Sequence, residues 1–491
     1  MTLEDQSNSS FKSSLKKEAK SASIYTLSTF LTQFGSFLVV PFFWQKLSIV
    51  DYGIIAIVDV IASFLTMFLG LQLDLSISRF YHEWPEDERR ERVGTLWLVS
   101  WISTILLGII SITVFSVISE FLFPNVPFYP FIFLGLIGVI IAKLSSVPYA
   151  TIRIDNRPIL YASYSLISFI VQMSLNIYFV LILDQKLNGY FISMIIGSII
   201  ISILGVLIML RFARPCVKMD TIRESLKFSL PQIPASTISG ITTMLDRFLL
   251  QRFASVEVMG IYSLSLKFSS LVLQLHSALK ISFLPFLYRS VAKDNKDGLA
   301  DLTKMRLFYV LPLIVFSLAV SLYIKDFVYW IDSPDYFPII TWVPWLIGPA
   351  LISSCVFYFA PGLFLAKRTD LSWIPATVQG AAVLFSGVIL IPLWGISGVI
   401  IVKYASALSL FLVTFYLSQK VYSIPIKWFK LIIIIILFVL AIFISEQISV
   451  SGFLKSIAFN TLLVVVFSVV SLSILGALST SSFTKFFDKG H

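Results

Sequence analysis

Six ionisable residues stand within or at the ends of long apolar stretches, and they are the groups in this chain best placed to do chemistry. Asp59 lies about two turns into one apolar run, Lys267 deep in another and Lys403 about two turns into a third, while Asp246 and Arg247 adjoin near the end of a fourth and Arg79 follows the second. An ion at membrane depth costs about 2.5 to 3.5 kcal/mol on insertion scales, so such a group usually faces a cavity or a partner. The chemistry open to these six is electrostatic: a cationic side chain can hold an anionic group, and a carboxylate can carry a proton or a cation.

A plainer reading stands beside each of them. The lysines can reach the interface along their flexible stems or pair with an internal acid. Asp59 can be a hydrogen-bonded structural residue, Arg247 a helix-end anchor, and Arg79 a contact for an inner-leaflet phospholipid. Asp246 and Arg247 are sequence neighbours and therefore point to different sides of their helix, which argues against a simple mutual ion pair.

Chemistry of other kinds is missing from the sequence. The three histidines, His82, His276 and His491, form no metal-binding pair, and no glycine is followed by lysine, so there is no phosphate-binding loop for ATP. There is no Gly-x-Ser-x-Gly elbow either, and no cofactor is expected. Cys216 falls in a connection and Cys355 in mid-span, an arrangement unsuited to a disulfide or a metal framework.

The elements that must position the six charges are membrane spans. Of 491 residues, 57% are apolar and 13% charged, against roughly 45 to 50% and about 25% in soluble domains, so the solvent for most of this chain is lipid. Apolar stretches predict an all-α polytopic protein with about fourteen spans, at 22–44, 53–73, 94–118, 127–149, 158–183, 189–211, 228–250, 257–285, 305–329, 337–365, 371–393, 396–419, 429–446 and 455–477. No polar stretch is long enough to fold alone as a soluble catalytic or nucleic-acid-binding module.

Basic residues divide unevenly between the two sets of connections. Those on the side of the amino terminus hold 28 lysines and arginines, among them Lys12, Lys16, Arg89, Arg90, Lys143, Arg153, Arg157 and Arg211, against six on the other side. Both termini are therefore expected in the cytoplasm. The net charge of +10 reads as an insertion signal and an attraction to anionic inner-leaflet lipid rather than as a nucleic-acid surface. The first apolar stretch is too long for a signal peptide and reads as an uncleaved first helix. Trp44, Trp330, Trp342, Trp394 and Trp428 near span ends read as interfacial anchors, the run from Glu83 to Arg92 as a solvated loop, and Pro231 and Pro234 as a bend in the seventh span.

An internal echo organises the spans. Gln45-Lys46-Leu47, Val50-Asp51 and Gly53-Ile54 recur as Gln251-Arg252-Phe253, Val256-Glu257 and Gly260-Ile261, and Gly189 recurs as Gly398, at offsets of 207 and 209. One duplication predicts two six-helix lobes related by an axis along the membrane normal. The boundaries are a tail at 1–21, lobes at 22–212 and 220–420, two extra helices within 428–478, and a tail at 479–491.

At this point the chain resembles the polysaccharide-export branch of the multidrug/oligosaccharidyl-lipid/polysaccharide flippase superfamily, the O-antigen-type lipid-linked oligosaccharide flippases. The resemblance is carried by Leu245-Asp246-Arg247-Phe248-Leu249-Leu250 with Val256 to Ser263, by Ser78-Arg79-Phe80-Tyr81, and by Pro392-Leu393-Trp394-Gly395-Ile396-Ser397-Gly398. It implies a V-shaped pair of lobes that opens alternately to either side and moves an undecaprenyl-diphosphate-linked glycan to the outer leaflet, without enzymatic chemistry. On that reading Lys267, Lys403 and Arg79 are diphosphate contacts and Asp59 carries a coupling proton or sodium ion. Asp246 and Arg247 then belong to a lobe interface or outer gate, with Gln33, Gln172, Asn176, Gln274 and Gln379 facing sugar hydroxyls or bridging helices. Partners on this reading are the lipid-linked glycan, membrane lipid, and glycan polymerase and chain-length proteins. A multidrug/cation antiporter, a peptidoglycan-precursor flippase, and, from another class, a membrane-embedded glycan polymerase or structural partner are the rival readings.

Overall fold

The computed structural model describes residues 39–292, 296–365, 373–421, 428–448 and 452–475, with isolated positions between 24 and 37 and at 368 and 371. The tails 1–21 and 479–491 and nine of the 23 positions of the first expected span, Gln33 among them, lie outside them. Among the described residues every regular element is a helix and none is a strand. Lipid imposes this outcome, since a chain that cannot hydrogen-bond to water must satisfy its backbone within each segment.

In chain order the helices are α1 (Val40–Trp44), α2 (Ile49–Leu65), α3 (Leu73–Phe80), α4 (Glu86–Leu122), α5 (Phe133–Lys143), α6 (Ser146–Ile154), α7 (Pro158–Asn176), α8 (Lys186–Phe212), α9 (Met219–Ser229) and α10 (Gln232–Phe253). They continue with α11 (Val256–Ala292), α12 (Lys296–Ile331), α13 (Pro338–Phe359), α14 (Gly362–Leu365), α15 (Trp373–Val421), α16 (Trp428–Gln447) and α17 (Phe453–Leu475). Contacts divide the chain into two compact units, Met1–Gly260 and Ile261–His491. In the first, α5, α7 and α8 pack together, α10 lies against α2, and α9 lies against α3 and α4. In the second, α13 packs on α12 and α15, and the last two helices lie against α12.

Among the described residues ten helices are long and apolar enough to cross a membrane, or eleven when the bent pair Ile49–Leu65 and Leu69–Phe80 counts as one span. One of the ten, α15, has 49 residues and as a straight rod would reach about 74 Å, more than twice the hydrocarbon thickness of about 30 Å. It is not straight. Gly395 breaks it with φ 55° and ψ −127°, a conformation essentially closed to residues with a side chain. A Cβ on Gly398 would lie 2.2 Å from the Leu390 carbonyl oxygen, whereas eight residues of helix would separate them by about 12 Å. The chain therefore doubles back at Gly395, between the stretches read as the eleventh and twelfth spans.

The two copies of the sequence echo share a local construction. Ser48 caps α2, its Oγ accepting from Asp51 N at 3.2 Å while Ser48 N donates to Asp51 Oδ2 at 2.8 Å, a reciprocal capping box. Ser255 stands at the equivalent position before α11 and its Oγ accepts from Val258 N at 3.3 Å. Five residues beyond each serine comes a glycine, and the two glycines meet one another's helices. A Cβ on Gly53 would lie 2.1 Å from the Val256 carbonyl oxygen, and one on Gly260 would lie 2.1 Å from that of Ile49. The offset of 207 residues that relates Gly53 to Gly260 also relates Ile49 to Val256, so the contact is reciprocal.

Two expectations are corrected here. The segment read as a solvated loop from Glu83 is, from Glu86, the opening of α4, because Glu86, Asp87 and Glu88 in the first turn suit a helix N-terminus. Arg92 there bridges Glu88 at 2.9 Å and Glu224 of α9 at 3.5 Å, and Lys218 bridges Glu91 at 2.7 Å. Pro231 stands in the two-residue break between α9 and α10, and Pro234 falls in the first turn of α10, where the missing N–H breaks no helical bond. Trp44 is only 2% exposed, so it is packed inside the first unit, while Trp330 and Trp394 are exposed as anchors would be.

Candidate functional site

In the first unit the site is built around the break in the second span. Between α2 and α3 the chain passes through Leu69–Gln72 with Gly70, Leu71 and Gln72 all at positive φ, and the two helices are bent by 53°. Gln72 Nε2 fixes the bend by donating to Met67 O at 3.0 Å and to Ser236 Oγ of α10 at 2.6 Å. Beneath it Lys143 Nζ lies 3.5 Å from Asp74 Oδ1, with side chains 12% and 25% exposed. Lys143 is thus not the open connection charge its position suggested, because a carboxylate on the broken span draws it inward. Such a pair is costly to form and costlier to break on one side.

Asp59 sits on α2 above this bend. The residues from Gly53 to Val58, together with Val60 and Ile61, are buried, yet Asp59 is exposed, and it lies within electrostatic reach of Tyr190. A carboxylate exposed toward lipid would be strongly disfavoured, so open space at this point is better filled by water or an ion. Arg79, at the far end of the span, is exposed and ion-paired with Glu83, four residues on, with its guanidinium 5.4 Å from the Phe80 ring. Asp246 is turned inward at 2% exposure, whereas Arg247 is half-buried, in keeping with neighbours on different helix sides.

In the second unit Lys267 repeats the pattern of Asp59. It is exposed while Leu264, Ser265, Phe268 and Ser269 around it are buried. Lys403 is half-buried. Lys280 places its ammonium 4.8 Å from the Phe357 ring, a cation–π contact. Gln379 Nε2 donates to Ser406 Oγ at 3.1 Å, and in the first unit Asn176 accepts from Ser193, so both bridge parts of the fold. Among the described residues no group of three or more His, Cys, Asp or Glu could hold a metal.

Sequence reasoning missed one buried carboxylate. Asp326 of α12 is 5% exposed; its Oδ2 accepts from Asn460 Nδ2 at 2.6 Å and its Oδ1 from Ser456, both on α17. Asn460 Nδ2 also faces Leu322 O at 3.4 Å, and its Oδ1 accepts from Ser445 Oγ of α16 at 2.9 Å. One acid thereby fastens the last two helices to the rest of their unit. The signal was present, an acid inside the stretch 305–329, but its place near a span end made it look like connection chemistry.

The profile of the family described as polysaccharide biosynthesis protein matches residues 19–290, more than half of the chain. A solved structure of the lipid II flippase MurJ in an inward closed conformation is similar with a TM-score of 0.70 at 17% identity, covering 92% of this chain and 99% of that one. A crystal structure of the Vibrio cholerae MATE transporter VcmN has a TM-score of 0.56 at 13% identity, covering 82% and 98%. An inward-facing multidrug resistance MATE transporter of the MOP superfamily gives 0.52 at 12%, covering 81% and 94%. No curated protein matches the chain by sequence. At these identities the solved structures establish the fold, and the apolar helices make it that of a multi-pass membrane protein. The match over residues 19–290 establishes the rest: this chain belongs to the polysaccharide biosynthesis protein family.

Proposed function

We propose that this protein is a flippase that carries a polyprenyl-diphosphate-linked oligosaccharide, of the undecaprenyl type, from the inner to the outer leaflet of the cytoplasmic membrane for surface polysaccharide synthesis. It works by alternating access, without ATP hydrolysis. The observation that carries this reading is the pair of charges Asp59 and Lys267, each exposed on a stretch of helix whose neighbours are buried. Family membership supports the glycan part of the reading. Lys267 and Lys403 then hold the diphosphate, Arg79 meets it at the entrance after releasing Glu83, and Asp59 carries the coupling proton or sodium ion. Asp246 and Arg247 act in the mechanics of opening. Both termini face the cytoplasm, and glycan polymerase and chain-length proteins take the product.

The test is deletion of the gene. The expected result is lipid-linked glycan accumulating on the cytoplasmic leaflet with loss of surface polysaccharide, reversed by the wild-type gene. Normal surface glycan with altered drug or cation tolerance would instead select the antiporter reading. In reconstituted vesicles, K267Q and K403Q are expected to weaken transport of the diphosphate lipid. Unchanged transport would remove both lysines from the site.

A further inference from the structure

A second basic site lies in the first unit, away from the residues assigned above. An open cavity of about 770 Å³ is enclosed by the end of α3, the first turns of α4, the turn before α7, and the facing parts of α7 and α8. Arg89, Arg90, Arg157 and Arg211 line one end, against the two acids Glu86 and Asp155. Two of the four arginines are already fixed. Arg89 Nε donates to Tyr81 O at 2.9 Å, and its guanidinium lies 5.0 Å from the Tyr81 ring. Arg157 Nε donates to Asp155 Oδ2 at 2.6 Å and its guanidinium lies 5.1 Å from the Phe212 ring. Asp155 is further occupied by the Tyr81 hydroxyl, which donates to Oδ1 at 2.7 Å.

Arg90 and Arg211 are left exposed, and among the described residues no acid lies within ion-pairing distance of either. The other end of the cavity is apolar, lined by Leu160, Ile167, Leu204, Leu207 and Ile208. Ile167 and Leu207 are 45% and 57% exposed, and the apolar strip runs on along α8 through Ile203 and Ile199. A surplus of guanidinium groups at one end of an apolar groove in a membrane-spanning bundle fits an amphiphile with an anionic head. Arginine can hold a phosphate through two parallel hydrogen bonds, and the surplus of positive charge favours a headgroup of net negative charge over a zwitterionic one.

We propose that this cavity binds an anionic phospholipid of the surrounding leaflet, its phosphate between Arg90 and Arg211 and an acyl chain along the α7–α8 groove. The unequal distribution of basic residues puts this end of the bundle in the cytoplasmic leaflet. Asp59, Arg79, Asp246 and Arg247 do not line the cavity, so its occupant is a resident lipid rather than cargo.

The test uses the purified full-length protein in detergent and native mass spectrometry, with phosphatidylglycerol, phosphatidylethanolamine, inorganic phosphate and polyprenyl diphosphate as probes. Wild type is expected to retain phosphatidylglycerol over phosphatidylethanolamine, and R90Q/R211Q to bind it at least about tenfold more weakly, since each surface cation is worth about a factor of five. L207W, which fills the groove and leaves the arginines in place, is expected to lose the lipid but not inorganic phosphate. Equal retention by wild type and both variants overturns the site. Displacement of phosphatidylglycerol by equimolar polyprenyl diphosphate at the same arginines overturns the resident-lipid assignment, and binding of inorganic phosphate as tight as that of the lipid overturns the groove.

Discussion

Replacing Asn460 by leucine tests whether one buried acid holds the last two helices in place. Asn460 is 2% exposed and Asp326 5% exposed, so neither can turn to water when its partner is lost. The substitution keeps side-chain size roughly constant and removes the amide that donates to Asp326 Oδ2 at 2.6 Å. Losing a hydrogen bond to a charged acceptor costs about 1.5 to 3 kcal/mol. Ser445 loses its acceptor as well, but a helical serine can turn to a carbonyl of the preceding turn at little cost. The expected loss is therefore about 2 to 3 kcal/mol, well above the average of about 0.6 kcal/mol for hydrogen bonds between neutral groups in membrane bundles. In a D326N background the same change should cost under about 1 kcal/mol, because no charge is then stranded. The assay is unfolding of the purified protein in graded SDS against a mild detergent, comparing the four members of the cycle. An N460L cost that is negligible, or equal in both backgrounds, refutes the argument that the carboxylate is the centre of the fastening.

Other expectations follow from the same structure. G53A and G260A each place a methyl group 2.1 Å from a backbone oxygen, and should each destabilise by about 1 to 3 kcal/mol; the double variant should cost less than the sum, since one separation of the helices relieves both clashes. Lys218 has its pKa raised by its hydrogen bond to Glu91, with the Glu88 carboxylate adding to the effect. Its contribution is full below the ordinary lysine value of about 10.4, and is lost as pH rises through the raised one; melting points measured between pH 8 and 11 should fall less steeply for K218M than for wild type. D59N should leave binding of the diphosphate lipid in vesicles intact and reduce the dependence of its transport on a proton or sodium gradient by tenfold or more. Unaltered gradient dependence would remove Asp59 from coupling.

The helical class and the positions of most spans could be read from apolar stretches, because lipid leaves the backbone few alternatives. Breaks within those stretches were harder to read. Gly70, Leu71 and Gln72 adopt left-handed backbone in succession, and nothing in the types of Leu71 and Gln72 signals this; tertiary bonds from Gln72 to Met67 and Ser236 impose it. The opening turns of α4 were hidden by their polarity, since a helix that projects beyond the membrane loses the apolar signal while keeping its acidic N-terminal turn. Of the charges, Asp59 and Lys267 could be found because an ion in an apolar run is conspicuous. Asp74 and Asp326 escaped notice because each lies near the end of its run, where polarity is ordinary and only the fold shows its partner.

The reciprocal glycine contact bears on how such a chain can change over time. Duplication normally frees two copies of a segment to drift separately. Here the two glycines of the echo, 207 residues apart in the sequence, rest against each other's helices. A larger residue in one copy is tested at once against the other, so this pair cannot diverge one member at a time. A chimera that joins the first half of this chain to the second half of a relative inherits the same constraint, and would need both partners of the crossing to come from one parent.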